Sequence, residues 1–220
     1  HGSQPRNRGA NEDRCQAGLH RRPGIGTEGA EGHGCQLSIL HTFKEKPCKT
    51  LFYRAFWFSG EVNMSSDTRL LYLHGFNSSP QSFKAQALMR YMREHDCLHR
   101  MICPQIPNFP EQARQFLESL VERELRSGEL AFAGSSLGGY YATYLAEKYS
   151  GTAVLINPSV RPYQTLAACL GENKFYHSDE YWQFDQSHID QLKTMDVEHI
   201  TEPDSYMVML QTGDENVDYR

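Results

Sequence analysis

The chain lacks the features by which membrane proteins and nucleic-acid-binding proteins are recognised in sequence. Its 220 residues contain no apolar run near the length of about 20 residues that crosses a bilayer. The formal net charge is −5, so there is no basic excess of the kind that nucleic-acid-binding surfaces carry. We therefore expect neither a membrane nor a nucleic acid among the partners of this protein.

The six cysteines have no regular arrangement either. Their spacing does not suggest a disulfide framework, and a chain of this length can bury a core without covalent cross-links. No charged segment followed by an apolar stretch and a small-residue cleavage site is visible near the first residue. We expect a reducing, cytoplasmic compartment.

Residues 1–63 differ in composition from the rest of the chain. They hold nine of the 17 glycines and nine basic against six acidic residues, and residues 1–35 have no sustained apolar period. The stretch from Gly60 to Met64 could be encoded by a purine-rich run just before an ATG codon. We interpret residues 1–63 as a non-native or disordered extension, with Met64 as the native start. A genuine N-terminal extension is the alternative.

From residue 64 onward, apolar segments with the spacing of strands alternate with segments of helical spacing. This alternation is typical of parallel strands joined by helical crossovers. The predicted fold class is α/β, an open and mostly parallel sheet with helices on both faces. Residues 159–204 interrupt the alternation and are interpreted as an irregular cap over a pocket. Strands are predicted at 69–73, 101–103, 130–133, 152–156 and 206–210, and helices at 82–94, 110–126, 140–149, 165–170 and 187–195.

The most informative stretch is LAFAGSSLGGYYATYL, residues 130–145, which contains a GxSxG motif. An apolar strand precedes the motif and a helical pattern follows it, so residues 134–138 must turn the chain sharply. A nucleophile elbow has this context, because its serine, here Ser136, projects from a tight turn between strand and helix. The alternative is a glycine-rich turn with an incidental serine.

Three candidate groups follow three different predicted strands. His74-Gly75-Phe76 follows the first strand, Ser136 follows the third, and Asp214 follows the last. Because ligands of open α/β sheets bind at the carboxyl ends of the strands, we expect these groups to lie together. His74 is expected to orient its loop rather than to act as a base.

Acyl transfer at Ser136 needs donors for a developing oxyanion. The usual donors are the N–H of the residue after the nucleophile, here Leu137, and an N–H from the loop after an earlier strand, here Phe76. Close backbone approach around these donors requires small residues. The motif glycines that we expect to allow it are Gly75, Gly134 and Gly138.

Five segments of the chain carry a resemblance to a known family. They are LYLHGFNSSPQSFKA, ICPQIPNFP, GSSLGGYYATYLAEKY, VLINPSVRPY and LQTGDE, in this order between Met64 and Arg220. Together they resemble the bacterial YqiA-type esterase family of the α/β-hydrolase superfamily. The resemblance implies a cytosolic serine esterase or thioesterase that uses no cofactor and no metal. Its expected small-molecule substrates are acyl esters or acyl-CoA thioesters.

Carried over by position, the resemblance implies a role for four residues. Ser136 is the nucleophile, Asp214 is the acid of the triad, and Phe76 and Leu137 are the oxyanion donors. Glu215 and Asp218 are alternatives for the acid.

The chain departs from the superfamily pattern after Asp214. The triad order is Ser, Asp or Glu, then His, yet no histidine follows Asp214 in this sequence. We therefore expect that the sequence is cut short by about 30 residues and that the 220-residue chain is close to inactive as it stands. His177 and His188 in the cap are less suitable replacements. A non-catalytic binding module with the hydrolase fold is the alternative function.

Other polar residues are interpreted structurally. His95, Cys97, His99 and Cys103 lack the paired spacing of a zinc site. Asn157 and Arg161 could contact a substrate, but a loop hydrogen bond and a surface charge are the favoured interpretations.

Overall fold

The computed structural model describes residues 68–175 and 178–210. Within them lie seven strands: β1 (Arg69–Leu73), β2 (Met101–Ile102), β3 (Leu130–Ser136), β4 (Ala153–Pro158), β5 (Gly171–Lys174), β6 (Tyr181–Phe184) and β7 (Tyr206–Met209). Five of them form a parallel sheet in the order β2-β1-β3-β4-β7. The predicted α/β class with a mostly parallel sheet is confirmed. Residues 1–63 and Asp214 lie outside the described residues.

Both faces of the sheet are buried. In β1, Leu71 and Leu73 pack into one cluster of buried side chains, whereas Leu70 and Tyr72 pack into a second cluster. Successive side chains of a strand point to opposite faces, so the two clusters lie on opposite sides of the sheet. Strands that are buried on both faces are apolar without interruption, which is why the runs in β1 and β3 are so easily recognised in the sequence.

Helices cover the two faces. The described helices are α1 (Phe83–Glu94), α2 (Pro110–Leu125), α3 (Leu137–Tyr149), α4 (Pro162–Thr165) and α5 (Gln186–Lys193). Helix α1 packs its buried residues against Leu70 and Tyr72, whereas α2, α3 and α5 pack on the side of Leu71 and Leu73. Two of these helices begin at recognisable signals. The Ser82 hydroxyl accepts a hydrogen bond from the Ala85 N–H at 3.4 Å, and Pro110 is the first residue of α2.

The order of the strands places a crevice beside β1. The chain passes from β1 to β2 on one side, and then returns to form β3 on the other side of β1. Such a reversal of strand order opens a crevice at the carboxyl ends of the two strands that flank it. The loop after β1 and the residue that ends β3 therefore lie at one place, as the sequence predicts.

The segment from residue 159 to 204 contains a pair of strands that was not predicted from the sequence. Strands β5 and β6 pair as an antiparallel hairpin, with Gly171 opposite Phe184 and Lys174 opposite Tyr181. Helix α5 follows the hairpin, close to the predicted helix at 187–195. We call residues 171–174 and 181–184 the cap hairpin.

The structure also bears on the question of membrane insertion. Within residues 68–175 and 178–210, no helix combines the length and the apolar character that crossing a bilayer requires.

Glu118 joins α2 to α3. Its carboxylate accepts hydrogen bonds from the Tyr144 hydroxyl at 2.5 Å and from Arg114 at 3.0 Å, and pairs with the Lys148 ammonium at 2.8 Å. Burial raises the pKa of the Glu118 carboxyl, but the bonds from Lys148, Tyr144 and Arg114 lower it by more, so the pKa lies below its ordinary value of 4.5. Folding therefore favours the ionised carboxylate.

We predict that Glu118→Gln lowers the free energy of unfolding by about 1 kcal/mol at pH 7. A depressed folded-state pKa contributes stability that is present above the unfolded-state value and is lost as the pH falls through the folded-state value. The difference between wild type and variant should therefore shrink below about pH 4.5. Urea denaturation between pH 7 and pH 3 measures this difference.

The matched control is Glu122→Gln, one turn further along α2. Glu122 is exposed and accepts a single hydrogen bond, from the Tyr149 hydroxyl at 3.1 Å. This variant should change stability by less than about 0.5 kcal/mol at any pH. A constant difference between Glu118→Gln and wild type across the pH range would contradict the account.

Candidate active site

Ser136 lies at the turn from β3 to α3, where no loop residue separates the strand from the helix. It is the last residue of β3, and Leu137 is the first residue of α3. Its backbone angles are φ 54° and ψ −122°, a combination that side-chain-bearing residues seldom adopt and that costs about 1–3 kcal/mol. The Ser136 side chain makes no capping hydrogen bond to α3 and is half-buried. The hydroxyl is therefore not used to begin the helix.

Glycine is required on both sides of this serine because the backbones approach too closely for a side chain. A β-carbon on Gly134 would lie 2.0 Å from the Gly138 carbonyl oxygen. A β-carbon on Gly138 would lie 2.0 Å from the Leu73 carbonyl oxygen. The second contact joins the start of α3 to the end of β1, so the elbow is packed directly against the neighbouring strand.

The loop after β1 passes beside Ser136. A β-carbon on Gly75 would lie 3.3 Å from the β-carbon of Ser136 and 3.8 Å from its hydroxyl oxygen. The Phe76 ring packs on the cap hairpin, with centroid distances of 5.2 Å to Phe184 and 5.7 Å to Trp182. The two segments that carry Ser136 and Phe76 therefore lie side by side, as predicted from the sequence.

A cavity of about 20 Å³ lies between this loop, α3 and the cap hairpin. That volume accommodates about one group of the size of a water molecule. Its lining includes both residues that the sequence analysis names as oxyanion donors, Phe76 and Leu137. Gly75, Tyr141 and Trp182 contribute further walls.

His74 is held in a structural role. Its Nε2 accepts a hydrogen bond from the Ile106 N–H at 3.1 Å, and its Nδ1 lies 3.1 Å from the Gly75 carbonyl oxygen. An imidazole that accepts at Nε2 and donates at Nδ1 is neutral, with its proton on Nδ1. His74 is only 4% exposed. This geometry agrees with the expectation that His74 orients the loop rather than acts as a base.

His188 is also committed to the architecture of the cap. Its Nδ1 accepts a hydrogen bond from the Asp185 N–H at 2.9 Å, as part of the capping box of α5. Its ring is stacked between Phe109 and Phe184, at centroid distances of 5.0 Å and 5.5 Å. The same Nδ1 also lies 2.9 Å from the Asp185 carboxylate, so His188 serves to begin α5 and to pack the cap.

Several predicted site residues lie outside the described part of the chain. They are His177 and the three carboxylates Asp214, Glu215 and Asp218. His99 and His199 belong to segments that precede β2 and β7, so they lie toward the amino ends of those strands. Asn157 is buried at the carboxyl end of β4, and Arg161 is exposed at the start of α4.

Cys103 is not a candidate nucleophile. Cys97 and Cys103 carry free thiols. Burial raises the pKa of the Cys103 thiol to about 12, which keeps it protonated at neutral pH. Over residues 68–175 and 178–210, no three metal-ligating side chains come together as a site for a metal ion.

Asn77 and its two partners in the cap are not among the site residues predicted from the sequence. The Trp182 indole donates to the Asn77 side-chain oxygen at 2.8 Å, and the Asn77 amide donates to the Asn173 side-chain oxygen at 3.2 Å. One signal was available, since Trp182 is one of only two tryptophans in the chain.

One comparison with known proteins identifies a family. A family model described as "Uncharacterised protein family (UPF0227)" matches residues 69–220. The match begins at the first residue of β1 and includes the elbow, the loop after β1 and the cap hairpin.

We predict that Gly138→Ala lowers the free energy of unfolding by at least about 3 kcal/mol. The added methyl group would overlap the Leu73 carbonyl, and neither β1 nor α3 can move without loss of packing. Urea denaturation followed by circular dichroism measures the loss.

Gly128→Ala separates steric overlap from backbone conformation. Gly128 has a positive φ of 149°, but no atom lies within 4 Å of its would-be β-carbon. This variant should lose about 1–2 kcal/mol from backbone conformation alone. If Gly138→Ala were as stable as Gly128→Ala or more stable, the close packing of the elbow would be disproved.

Proposed function

This chain belongs to that family, which is the YqiA-type esterase family, and from this premise we propose that it is a serine esterase or thioesterase acting on acyl esters or acyl-CoA thioesters. Family and fold fit a hydrolase-type function. The observation that carries the finer proposal is the backbone of Ser136, held at φ 54° beside Gly75 and at the start of α3. Strain of this kind concentrates at active sites, where the surrounding structure maintains it.

In the proposed reaction, the Ser136 hydroxyl attacks the carbonyl carbon of the bound ester. The carbonyl oxygen becomes an oxyanion, and the N–H groups of Leu137 and Phe76 donate to it. Helix α3 supports this step because its first N–H groups have no partner within the helix and its dipole is positive there. The alcohol or thiol leaves, and water hydrolyses the acyl-serine.

A general base must remove the proton from Ser136 and return it to the leaving group. In both His74 and His188, one ring nitrogen accepts a hydrogen bond from a backbone N–H. The other nitrogen of the neutral ring then carries the proton and is not free to accept one from Ser136. We therefore propose that the base is a histidine outside the described residues, oriented by Asp214, with Glu215 and Asp218 as alternatives. The parallel pairing of β7 with β4 supports this role for Asp214, because the chain leaves β7 at the same edge of the sheet as Ser136.

The adjacent serines of the GSSLG sequence provide a matched test. In the full-length protein, we predict that Ser136→Ala reduces kcat for p-nitrophenyl esters and acyl-CoA thioesters by at least about 10³-fold. Ser135→Ala should retain kcat within about 10-fold, since Ser135 is buried within β3. Release of p-nitrophenol or free thiol measures turnover for the two substrate classes.

Two results would contradict the proposal. Full turnover by Ser136→Ala would assign the chemistry to another nucleophile. No turnover of either substrate class by the wild-type protein would favour a non-catalytic binding module with the hydrolase fold.

A further inference from the structure

Three side chains form a directed series of hydrogen bonds between the cap hairpin and the loop after β1. The Trp182 indole N–H donates to Asn77, and the Asn77 amide donates to Asn173. The Asn173 amide then donates to the carbonyl oxygens of Cys169 at 2.7 Å and Gly171 at 3.1 Å. We call Trp182, Asn77 and Asn173 the amide relay.

The donors and acceptors of the amide relay allow only one arrangement. An indole N–H can only donate, so the side-chain oxygen of Asn77 must face Trp182. The amide nitrogen of Asn77 is then directed at the oxygen of Asn173, and the amide nitrogen of Asn173 at carbonyl oxygens that can only accept. Rotating either amide by 180° would place like groups opposite each other, so each bond enforces the orientation of the next.

Asn77 occupies the position where such a series can act on the site. It directly follows Phe76, the proposed oxyanion donor, and its own φ is 55°. Asparagine tolerates this left-handed conformation better than most residues do. The side chain of Asn77 therefore anchors the loop to both strands of the cap hairpin at the residue after the donor.

The anchor is partly shielded from water, since Asn77 and Trp182 are half-buried. Asn173 is 7% exposed, and the ring of Phe76 packs on Trp182 and Phe184 next to the polar contacts. A buried amide that loses its partner is costly, so the loop is held firmly while the hairpin is in place. Trp182 also lines the cavity with Gly75 and Leu137, so the same residue borders both the loop and the small cavity beside the elbow.

We propose that Asn77 is a positioning residue, through which the amide relay holds the Phe76 N–H toward the oxyanion when the cap hairpin is docked. The inference rests on the proposed function and adds to it a coupling between the cap and the oxyanion site. Neither Asn77 nor Trp182 takes part in bond making. Their effect is on the alignment of a donor, where displacement by about 1 Å can cost about 10²-fold in rate.

Two variants of the full-length protein break the amide relay at different points with little loss of packing. Trp182→Phe keeps an aromatic ring against Phe76 and Phe184 but removes the indole N–H. Asn77→Gly keeps the positive φ accessible but removes the side-chain amide. Tyr181→Phe is the control, because Tyr181 lies next to Trp182 on the hairpin and is 49% exposed.

We expect each relay variant to reduce kcat for a small p-nitrophenyl ester by about 10–100-fold while KM changes by less than about 2-fold. The Ki of a trifluoromethyl ketone, whose serine adduct carries the oxyanion, should rise by the same factor as kcat falls. The double variant should resemble the single variants, since one broken link already frees the loop. Tyr181→Phe should match wild type.

Amide and indole NMR signals test the coupling without turnover. Trp182→Phe should shift the Phe76 amide signal, and Asn77→Gly should shift the Trp182 indole signal, whereas Tyr181→Phe should shift neither. Coupled shifts in a protein that hydrolyses no ester would overturn the proposed function and leave the amide relay intact. Two results with an active wild-type protein would show that the amide relay has no positioning role. In the first, both relay variants keep kcat within about 2-fold of wild type. In the second, they lose activity only because KM rises or because less of the protein is folded.

Discussion

The turn from β3 to α3 is the constraint on which the rest of the structure depends. Its central residue, Ser136, has an unfavourable backbone conformation, which costs about 1–3 kcal/mol unless its surroundings hold it. The surroundings are the six buried residues of β3 that precede it and the contact of Gly138 with the end of β1. The central position of β3 between β1 and β4 is therefore what makes a projecting serine possible at this edge.

The same edge is closed by a segment that lies far from the elbow in sequence. The cap hairpin covers the loop after β1 through the rings of Phe76, Trp182 and Phe184 and through the side chain of Asn77. Gly75 lies against Ser136, so the hairpin acts on the elbow through this short loop. A site built this way can change the shape of its cap and keep the proposed nucleophile fixed, because the sheet holds the serine and the hairpin holds only the loop.

The extent to which sequence predicts this structure follows from where the stabilising contacts lie. The strands of the sheet and the helices around it were predictable because their apolar spacing is local, and GxSxG identified the turn. The cap hairpin was not predicted. Its strands GENK and YWQF are mostly polar or half-exposed, so neither shows the alternation that marks a strand. They are stabilised by residues about 100 positions away, such as Asn77, and a single sequence cannot show that pairing.

The central claim is that the strained hydroxyl of Ser136 is the nucleophile of an acyl-transfer site. The most direct measurement is reaction of the full-length protein with a fluorophosphonate, followed by mass spectrometry of the intact protein and of its peptides. The account predicts a single covalent adduct on Ser136, formed quickly in folded protein and abolished by prior unfolding. An adduct on Ser135 or on a tyrosine instead, or no adduct at all, would contradict it.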